Sequence, residues 1–346
     1  MRLIVTGGCG FIGSAFLRQA LAQDHVERLV NVDALTYSGR EENVAELLAD
    51  PRFRNVKADI TDAEAIHALF AEERPTAVVH FAAESHVDRS LFAARCFVQT
   101  NIDGTLCLLE AARGYRDQTG TELKFVQIST DEVYGDLEND QDFFREDTPL
   151  DPRNPYSATK AGADLLALAF ARTHKLWLVV TRSSNNYGPR QYPEKLIPLM
   201  ISNALEDKPL PVYGDGKNVR DWLWVEDNCR GVWAALERGR SGEVYNFGGE
   251  SERQNIQVVK GILAALGKPE SLITYVNDRP GHDVRYAIDC TKAKTELGFV
   301  PAKTFEEGLA ETVAWYRDHQ DWWRPLKGAS FQAYYQQHYG RLGLKT

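Results

Sequence analysis

Short β-branched apolar runs recur through the first half of the chain with longer amphipathic stretches between them, and this alternation restricts the fold more than any other feature. The runs are Leu3-Ile4-Val5-Thr6, Leu29-Val30-Asn31-Val32-Asp33, Val56-Lys57-Ala58-Asp59, Ala77-Val78-Val79-His80-Phe81, Phe125-Val126-Gln127-Ile128-Ser129 and Leu176-Trp177-Leu178-Val179-Val180-Thr181. Strands apolar on both faces need cover above and below, which a parallel sheet flanked by helices provides. Between the first two runs, Ile12, Phe16 and Ala20 fall at i, i+4 and i+8 with Leu17 and Leu21 alongside, one face of a helix. A further helix is expected from about 158 to 174. The expected class is therefore α/β, a doubly wound, Rossmann-type parallel sheet. After Tyr187, Gly188-Pro189, Pro193, Pro198, Pro209 and Pro211 break the rhythm. Residues 1–187 are read as mainly the parallel-sheet domain and 188–346 as mainly a smaller α/β lobe, with some chain crossing back. Near the end, Thr304-Phe305-Glu306-Glu307 is a capping box, and Leu309, Val313 and Tyr316 continue one apolar helical face.

Composition removes several function classes. The chain has 346 residues, 43% of them hydrophobic and 26% charged, enough for a sizeable core and about two domains. Forty Lys and Arg against 49 Asp and Glu give a net charge of -9, which repels a polyphosphate backbone. No nucleic-acid partner is expected, although a local basic pocket remains compatible. The five cysteines, Cys9, Cys96, Cys107, Cys229 and Cys290, are scattered without a C-x-x-C pair, so neither a disulfide framework nor a metal site is indicated. Residues 1–5 reach Gly7 too soon for a signal peptide, and no run of 18 apolar residues occurs. A soluble, unprocessed, cytoplasmic protein without membrane contact is expected.

Thr6-Gly7-Gly8-Cys9-Gly10-Phe11-Ile12-Gly13 joins the first strand to the first helix. Glycines there let backbone amides approach a pyrophosphate at the positive end of the helix, as in a dinucleotide cradle. An isolated G-x-G-x-x-G is more often a plain tight turn. Here it follows a strand, opens an amphipathic helix and is followed by Asp33, 20 residues after Gly13. An acid at that place accepts hydrogen bonds from the adenosine ribose and repels a 2′-phosphate, which favours NAD over NADP.

Two constellations carry chemistry. Tyr156 and Lys160 stand at i and i+4, so on a helix they share a face. A cation near the phenol is expected to lower its pKa and make it a base for a hydroxyl proton. Ser129-Thr130-Asp131-Glu132-Val133-Tyr134-Gly135 follows the fifth strand and places two adjacent carboxylates at the sheet edge where ligands bind. A solvated acidic turn is the bland alternative. Two carboxylates in different protonation states can remove a carbon-bound proton and protonate a departing hydroxyl.

Gly7, Gly10, Gly13, Tyr156 and Lys160 resemble the extended short-chain dehydrogenase/reductase superfamily, nearly end to end. The Thr130-Asp131-Glu132 segment resembles that of the dTDP-glucose 4,6-dehydratases. So do residues 81–90, 182–189, 193–198, Arg220-Asp221-Trp222 and 278–283. The resemblance implies a catalytic set of Thr130, Asp131, Glu132, Tyr156 and Lys160, with a nicotinamide cofactor kept through turnover. It implies NAD contacts at Gly7, Gly10, Phe11, Ile12, Gly13, Asp33, Ala34, Leu35, Thr36, Asp59 and Ile60. Further ones are implied at Phe81, Ala82, Ala83, Ser85, Thr100, Tyr156, Lys160 and Asn186. The nucleotide sugar, dTDP-glucose, would meet Ser85, Thr130, Asp131, Glu132, Asn185, Lys195, Leu196, Pro211, Val212, Tyr213, Arg220, Asn255, Arg279 and His282. A guanidinium fork suits a diphosphate, while surface ion pairs of Arg220 with Asp221 or Arg279 with Asp278 are the alternative. Tyr213 suits either base stacking or core packing. A homodimer through helices near 100–112 and 156–171 is also implied.

Two departures stand out: residues 136–149 are acidic and loop-like, and Ser183 stands where that family often carries Cys. The segment 327–346 has no assigned chemistry. The competing readings are a nucleotide-sugar 4-epimerase or decarboxylase, which has no use for Asp131 and Glu132 as acid and base, and a non-catalytic NAD-binding sensor, which has no use for any proton-transfer group.

Overall fold

The computed structural model describes residues 1–137, 139, 141–278 and 282–344; Arg279 lies outside them. Seven strands form one parallel sheet in the order β10-β6-β5-β4-β1-β2-β3. They are β1 (Arg2–Thr6), β2 (Arg28–Asp33), β3 (Phe53–Lys57), β4 (Ala77–His80), β5 (Lys124–Thr130), β6 (Trp177–Ser183) and, later in the chain, β10 (Val244–Phe247). Between them run α1 (Phe11–Leu21), α2 (Ala63–Glu73), α3 (Val87–Ser90), α4 (Ala94–Val98), α5 (Gly104–Thr119) and α6 (Pro155–His174). The expected doubly wound class is what the chain forms. Val and Ile side chains alternate onto two faces, and one buried cluster forms on each side of the sheet. Leu3, Val5, Phe16 and Val126 belong to one; Ile4, Val30, Val78 and Phe125 belong to the other.

Boundaries differ from expectation in two places. β3 begins at Phe53, which is buried and pairs with Leu29, rather than at Val56. It ends at Lys57, and Asp59 lies beyond it in a tight turn, where its Oδ1 accepts from the backbone N–H and the hydroxyl of Thr61. α6 begins at Pro155, whose fixed φ suits a first helical turn. Its capping box has the Asn154 side chain accepting from the Ser157 N–H at 2.9 Å. This earlier start brings Tyr156 into the helix.

The remaining elements are β7 (Asn185–Tyr187), α7 (Leu196–Leu205), β8 (Leu210–Tyr213), β9 (Val219–Trp224), α8 (Val225–Arg238), β11 (Glu252–Gln254), α9 (Asn255–Leu266), β12 (Ile273–Val276) and α10 (Thr291–Leu297). The chain continues through α11 (Phe305–Asp318), α12 (Gln320–Trp323) and α13 (Ala329–Arg341). Strands β11-β9-β7 make a three-stranded sheet and β12-β8 a pair, over a core holding Tyr187, Trp222, Phe305, Tyr316 and Trp323. The Thr304 capping box forms, with Glu307 N–H donating to the Thr304 hydroxyl and Thr304 N–H to Glu307. Segment α8-β10 returns to the large sheet, where the rings of Trp233 and Phe16 lie 5.8 Å apart. The acidic segment 136–149 is pinned through Phe144, which is buried, bridges to Ile288 and stacks on Tyr134 at 5.1 Å.

Trp323 is fully buried and donates its indole N–H to the Tyr316 carbonyl at 2.7 Å. Trp323→Ala is expected to cost about 3–5 kcal/mol, read as a lowered denaturant midpoint.

Candidate active site

The sheet order reverses at β1 and β4, and there the carboxyl ends of the strands open into a cleft of about 290 Å³. Its floor is the glycine turn. Gly7 has φ +73°, and a Cβ on it would stand 2.5 Å from the Ala82 nitrogen; one on Gly13 would stand 2.3 Å from the Gly7 carbonyl oxygen. The turn is held from below, because Asn31 accepts from the Gly8 N–H at 2.8 Å and Asp33 from those of Cys9 and Leu35 at 2.9 and 2.8 Å. Burial raises the Asp33 pKa, and these two N–H bonds oppose the rise. No side chain caps α1, so the amides of its first turn face the cleft mouth as an anion site. These features fit a dinucleotide: backbone brought close by missing Cβ atoms, amides for a pyrophosphate, an acid for a ribose. Gly13→Ala is expected to cost about 1–3 kcal/mol of overpacking, seen as an NAD affinity about tenfold or more lower by fluorescence titration.

Of the residues expected around NAD, Gly7, Gly10, Phe11, Ile12, Gly13, Asp33, Ala34, Thr36, Asp59, Ile60, Phe81, Ala82, Ala83, Ser85, Thr100 and Asn186 all line this cleft. Leu35 does not; it packs against the core, and only its amide enters the turn. Ser85, Asn185 and Lys195, expected around the nucleotide sugar, also line the cleft. Leu196, Pro211, Val212, Tyr213, Arg220, Asn255 and His282 stand outside its wall. The Arg220 guanidinium is occupied by the carbonyls of Val219 at 2.7 Å and Asp283 at 2.9 Å, and lies 4.3 Å over the Tyr286 ring. No surface pair with Asp221 forms, since Asp221 accepts from Gly249 and Ser251 N–H groups. Tyr213 stacks on Tyr339 of α13 at 5.9 Å and donates to Asp88 at 3.0 Å. α13 is thus seated against the body of the protein, as expected of a segment whose chemistry the sequence leaves unassigned.

The chemical end of the cleft gathers Thr130, Asp131, Glu132, Tyr156 and Lys160. β5 delivers Thr130 at its last position. The next four residues coil into a 3-10 turn, started by the Thr130 hydroxyl accepting from Glu132 N–H at 3.3 Å. Asp131 is 2% exposed, and its Oδ2 has no hydrogen-bond partner. Burial, then the carboxylates of Glu132 and Asp221, hold the Asp131 carboxyl well above the usual carboxylate range, which favours its protonated form.

The phenol differs from expectation. Burial and then Glu132 push the Tyr156 pKa up, while the Thr130 hydroxyl pulls it down. The Lys160 ammonium is not among the main causes that lower it. Lys160 is buried on α6, donates to the Ile128 carbonyl at 2.5 Å and is itself brought down to about 8 by desolvation. Sequence spacing finds the cation but not the burial and the carboxylates, which outweigh it.

Sequence reasoning missed Glu84, Gln191, Tyr192 and Glu194 on the cleft wall. Glu194 takes Arg89 at 2.9 Å and the Tyr37 hydroxyl at 2.8 Å. It also missed Asn101, whose amide clamps the N–H and carbonyl of Glu84 at 2.9 and 3.0 Å and so shapes the strand exit after β4. Asn101 sits in a π turn, Gln99–Asp103, that no apolar periodicity announces.

A doubly wound sheet, a glycine cradle and a Tyr/Lys pair on one helix define an extended short-chain dehydrogenase/reductase. The family described as GDP-mannose 4,6 dehydratase matches residues 4–312. A dTDP-glucose 4,6-dehydratase of Neisseria meningitidis is 51% identical, covering 96% of this chain and 97% of the relative. One of Escherichia coli is 47% identical, over 96% and 98%. Among solved structures, the dTDP-glucose 4,6-dehydratase DesIV from Streptomyces venezuelae with NAD bound has a TM-score of 0.90 at 47% identity, over 94% of this chain and all of that one. The NAD complex of a Thermus thermophilus UDP-glucose 4-epimerase reaches 0.84 at 31% identity, over 92% of this chain and 100% of its own. The chain belongs to the GDP-mannose 4,6 dehydratase family and, within it, to the dTDP-glucose 4,6-dehydratases.

Proposed function

We propose that this chain is an NAD-dependent hydro-lyase that converts dTDP-glucose to dTDP-4-keto-6-deoxyglucose and water, in a pathway of deoxysugar biosynthesis. The observation that carries the reading is Asp131, a buried acid whose pKa is pushed up by burial and by Glu132 beside it, within the same cleft as Tyr156. An epimerase uses a Tyr/Lys pair alone, and a cofactor sensor needs none of these groups.

The residues divide the work. Gly7, Gly10, Phe11, Ile12 and Gly13 hold the pyrophosphate of NAD, Asp33 its adenosine ribose and Lys160 its nicotinamide ribose. Bound NAD supplies an acceptor for the hydride of carbon 4, a donor of the same hydride to carbon 6 and a positive charge in a site otherwise rich in carboxylates. Thr130 holds the carbon-4 hydroxyl, and Tyr156 removes its proton as a phenolate, the form that the positive charge of bound NAD favours against burial and the Glu132 carboxylate. A ketone at carbon 4 acidifies the hydrogen on carbon 5, which Glu132 takes. Asp131 gives its proton to the departing carbon-6 hydroxyl, which leaves as water. Glu132 then returns its proton to carbon 5. Ser85, Asn185 and Lys195 flank the sugar; Arg220, Arg279 and His282 serve the diphosphate side, and Tyr213 the base. Thymine is the favoured base.

Incubation with dTDP-glucose tests this reading. The absorbance that alkali induces in a 4-keto-6-deoxy sugar is expected to develop, and recovery of dTDP-galactose alone would defeat it.

The assembly proposed is a homodimer through α5 and α6. Support comes from Leu165 on α6, 59% exposed beside the exposed Ala158 and Ala169 of the same helix, and from Val98 at the end of α4, 42% exposed. Among the described residues no helix is long and apolar enough to cross a membrane. The cytoplasm is the proposed compartment, in keeping with five cysteines that all remain thiols.

A further inference from the structure

α6 carries a third polar side chain in line with Tyr156 and Lys160. Asp164 lies one turn beyond Lys160 and is completely buried. Its Oδ2 accepts from the Ser129 hydroxyl and from Arg182 Nε, both at 2.9 Å. Ser129 immediately precedes Thr130 and pairs in register with Arg182 across β5 and β6. The Arg182 guanidinium lies 4.8 Å over the ring of Tyr134, the last residue of the turn that carries Asp131 and Glu132.

A purely structural ion pair with Arg182 accounts for Oδ2. It leaves Oδ1, which is buried without a hydrogen-bond partner among the described residues. Leaving a carboxylate oxygen so placed is costly unless its charge acts on something nearby. The neighbouring cation on the same helix is Lys160, whose ammonium is out of water and bonded only to a neutral carbonyl among the contacts described.

We propose that Asp164 is a positioning residue of the reaction, its carboxylate supplying the negative charge that holds Lys160 as an ammonium at the Ile128 carbonyl. The inference rests on the assignment of Lys160 to the nicotinamide ribose. Burial draws Lys160 down to about 8, and Asp164 is the one charge that opposes the fall. The other titratable groups around this point are His80 on β4, neutral because burial and Lys160 bring it down to about 3, Tyr156 on α6, Asp131, Glu132 and Tyr134 in the turn, and Arg182 on β6.

The test is the pH dependence of NAD affinity, measured by fluorescence titration on purified protein, together with that of turnover. In the natural chain affinity is expected to decline on the alkaline side around pH 8. Asp164→Asn is expected to move this limb to lower pH by about one unit, with affinity at pH 8 about fivefold weaker, while Asp164→Glu keeps the limb in place. Should Asp164→Asn fail to fold because Arg182 is left unpaired, the double variant Asp164→Asn with Arg182→Gln removes both charges and is expected to show the same displaced limb. A limb that stays where it was in the folded variant, with only stability lost, overturns the proposal. A natural chain that binds NAD with this profile but leaves dTDP-glucose unchanged would sink the assigned reaction without touching the role of Asp164.

Discussion

Glu132→Gln is expected to keep NAD affinity within about twofold and to lower formation of the 4-keto-6-deoxy sugar by about 10²–10⁴, the usual contribution of a positioned acid or base. The substitution preserves shape and removes only the ability to take a proton from carbon 5. Oxidation at carbon 4 uses Thr130 and Tyr156 and survives, so mixing the variant with dTDP-glucose should raise the absorbance of reduced nicotinamide near 340 nm without product. Unchanged turnover removes Glu132 from the mechanism. Asp131 is coupled to the same event, since Glu132 is among the causes that raise its pKa. Neutralising Glu132 therefore lowers the Asp131 pKa, and the deficit should deepen as pH rises.

Tyr156→Phe is expected to stop the reaction one step earlier. The ring fills the same space against Phe97, whose centroid lies 6.4 Å away, so the fold and the cradle stay intact. What goes is the phenol on the cleft wall that shares α6 with Lys160. Loss of about 10²–10⁴ in turnover is expected, this time with no reduced nicotinamide accumulating on dTDP-glucose. Reduced cofactor appearing at the natural rate would pass the proton-accepting role to another group.

These two outcomes separate because the site has two chemical ends, and the sequence makes them legible to different degrees. The glycine turn with Asp33, and the adjacent acids after β5, are local patterns: each is a few residues at a strand end, and the alternation of strands and helices says where strand ends go. The same locality makes the wall around NAD readable, apart from Leu35, whose side chain turns into the core. What local patterns cannot carry is burial and contact across the chain. Spacing brings Tyr156 and Lys160 together and predicts a lowered phenol pKa; the enclosure of both groups and the Glu132 carboxylate reverse that direction. Tyr37 and Glu194 meet across 157 residues, and Ser129 and Asp164 across 35, with no periodicity linking them. The return of β10 to the large sheet, and the seating of α13 against Tyr213, likewise depend on packing surfaces that exist only once both lobes have formed.

The central claim is that hydride leaves carbon 4 and is given back to carbon 6 of the same sugar while Asp131 and Glu132 expel water between the two events. Turnover of dTDP-glucose deuterated at carbon 4, followed by NMR of the product, tests it most directly. Deuterium on carbon 6 of dTDP-4-keto-6-deoxyglucose is the predicted result. Deuterium still on carbon 4, in recovered dTDP-glucose or dTDP-galactose, would contradict it.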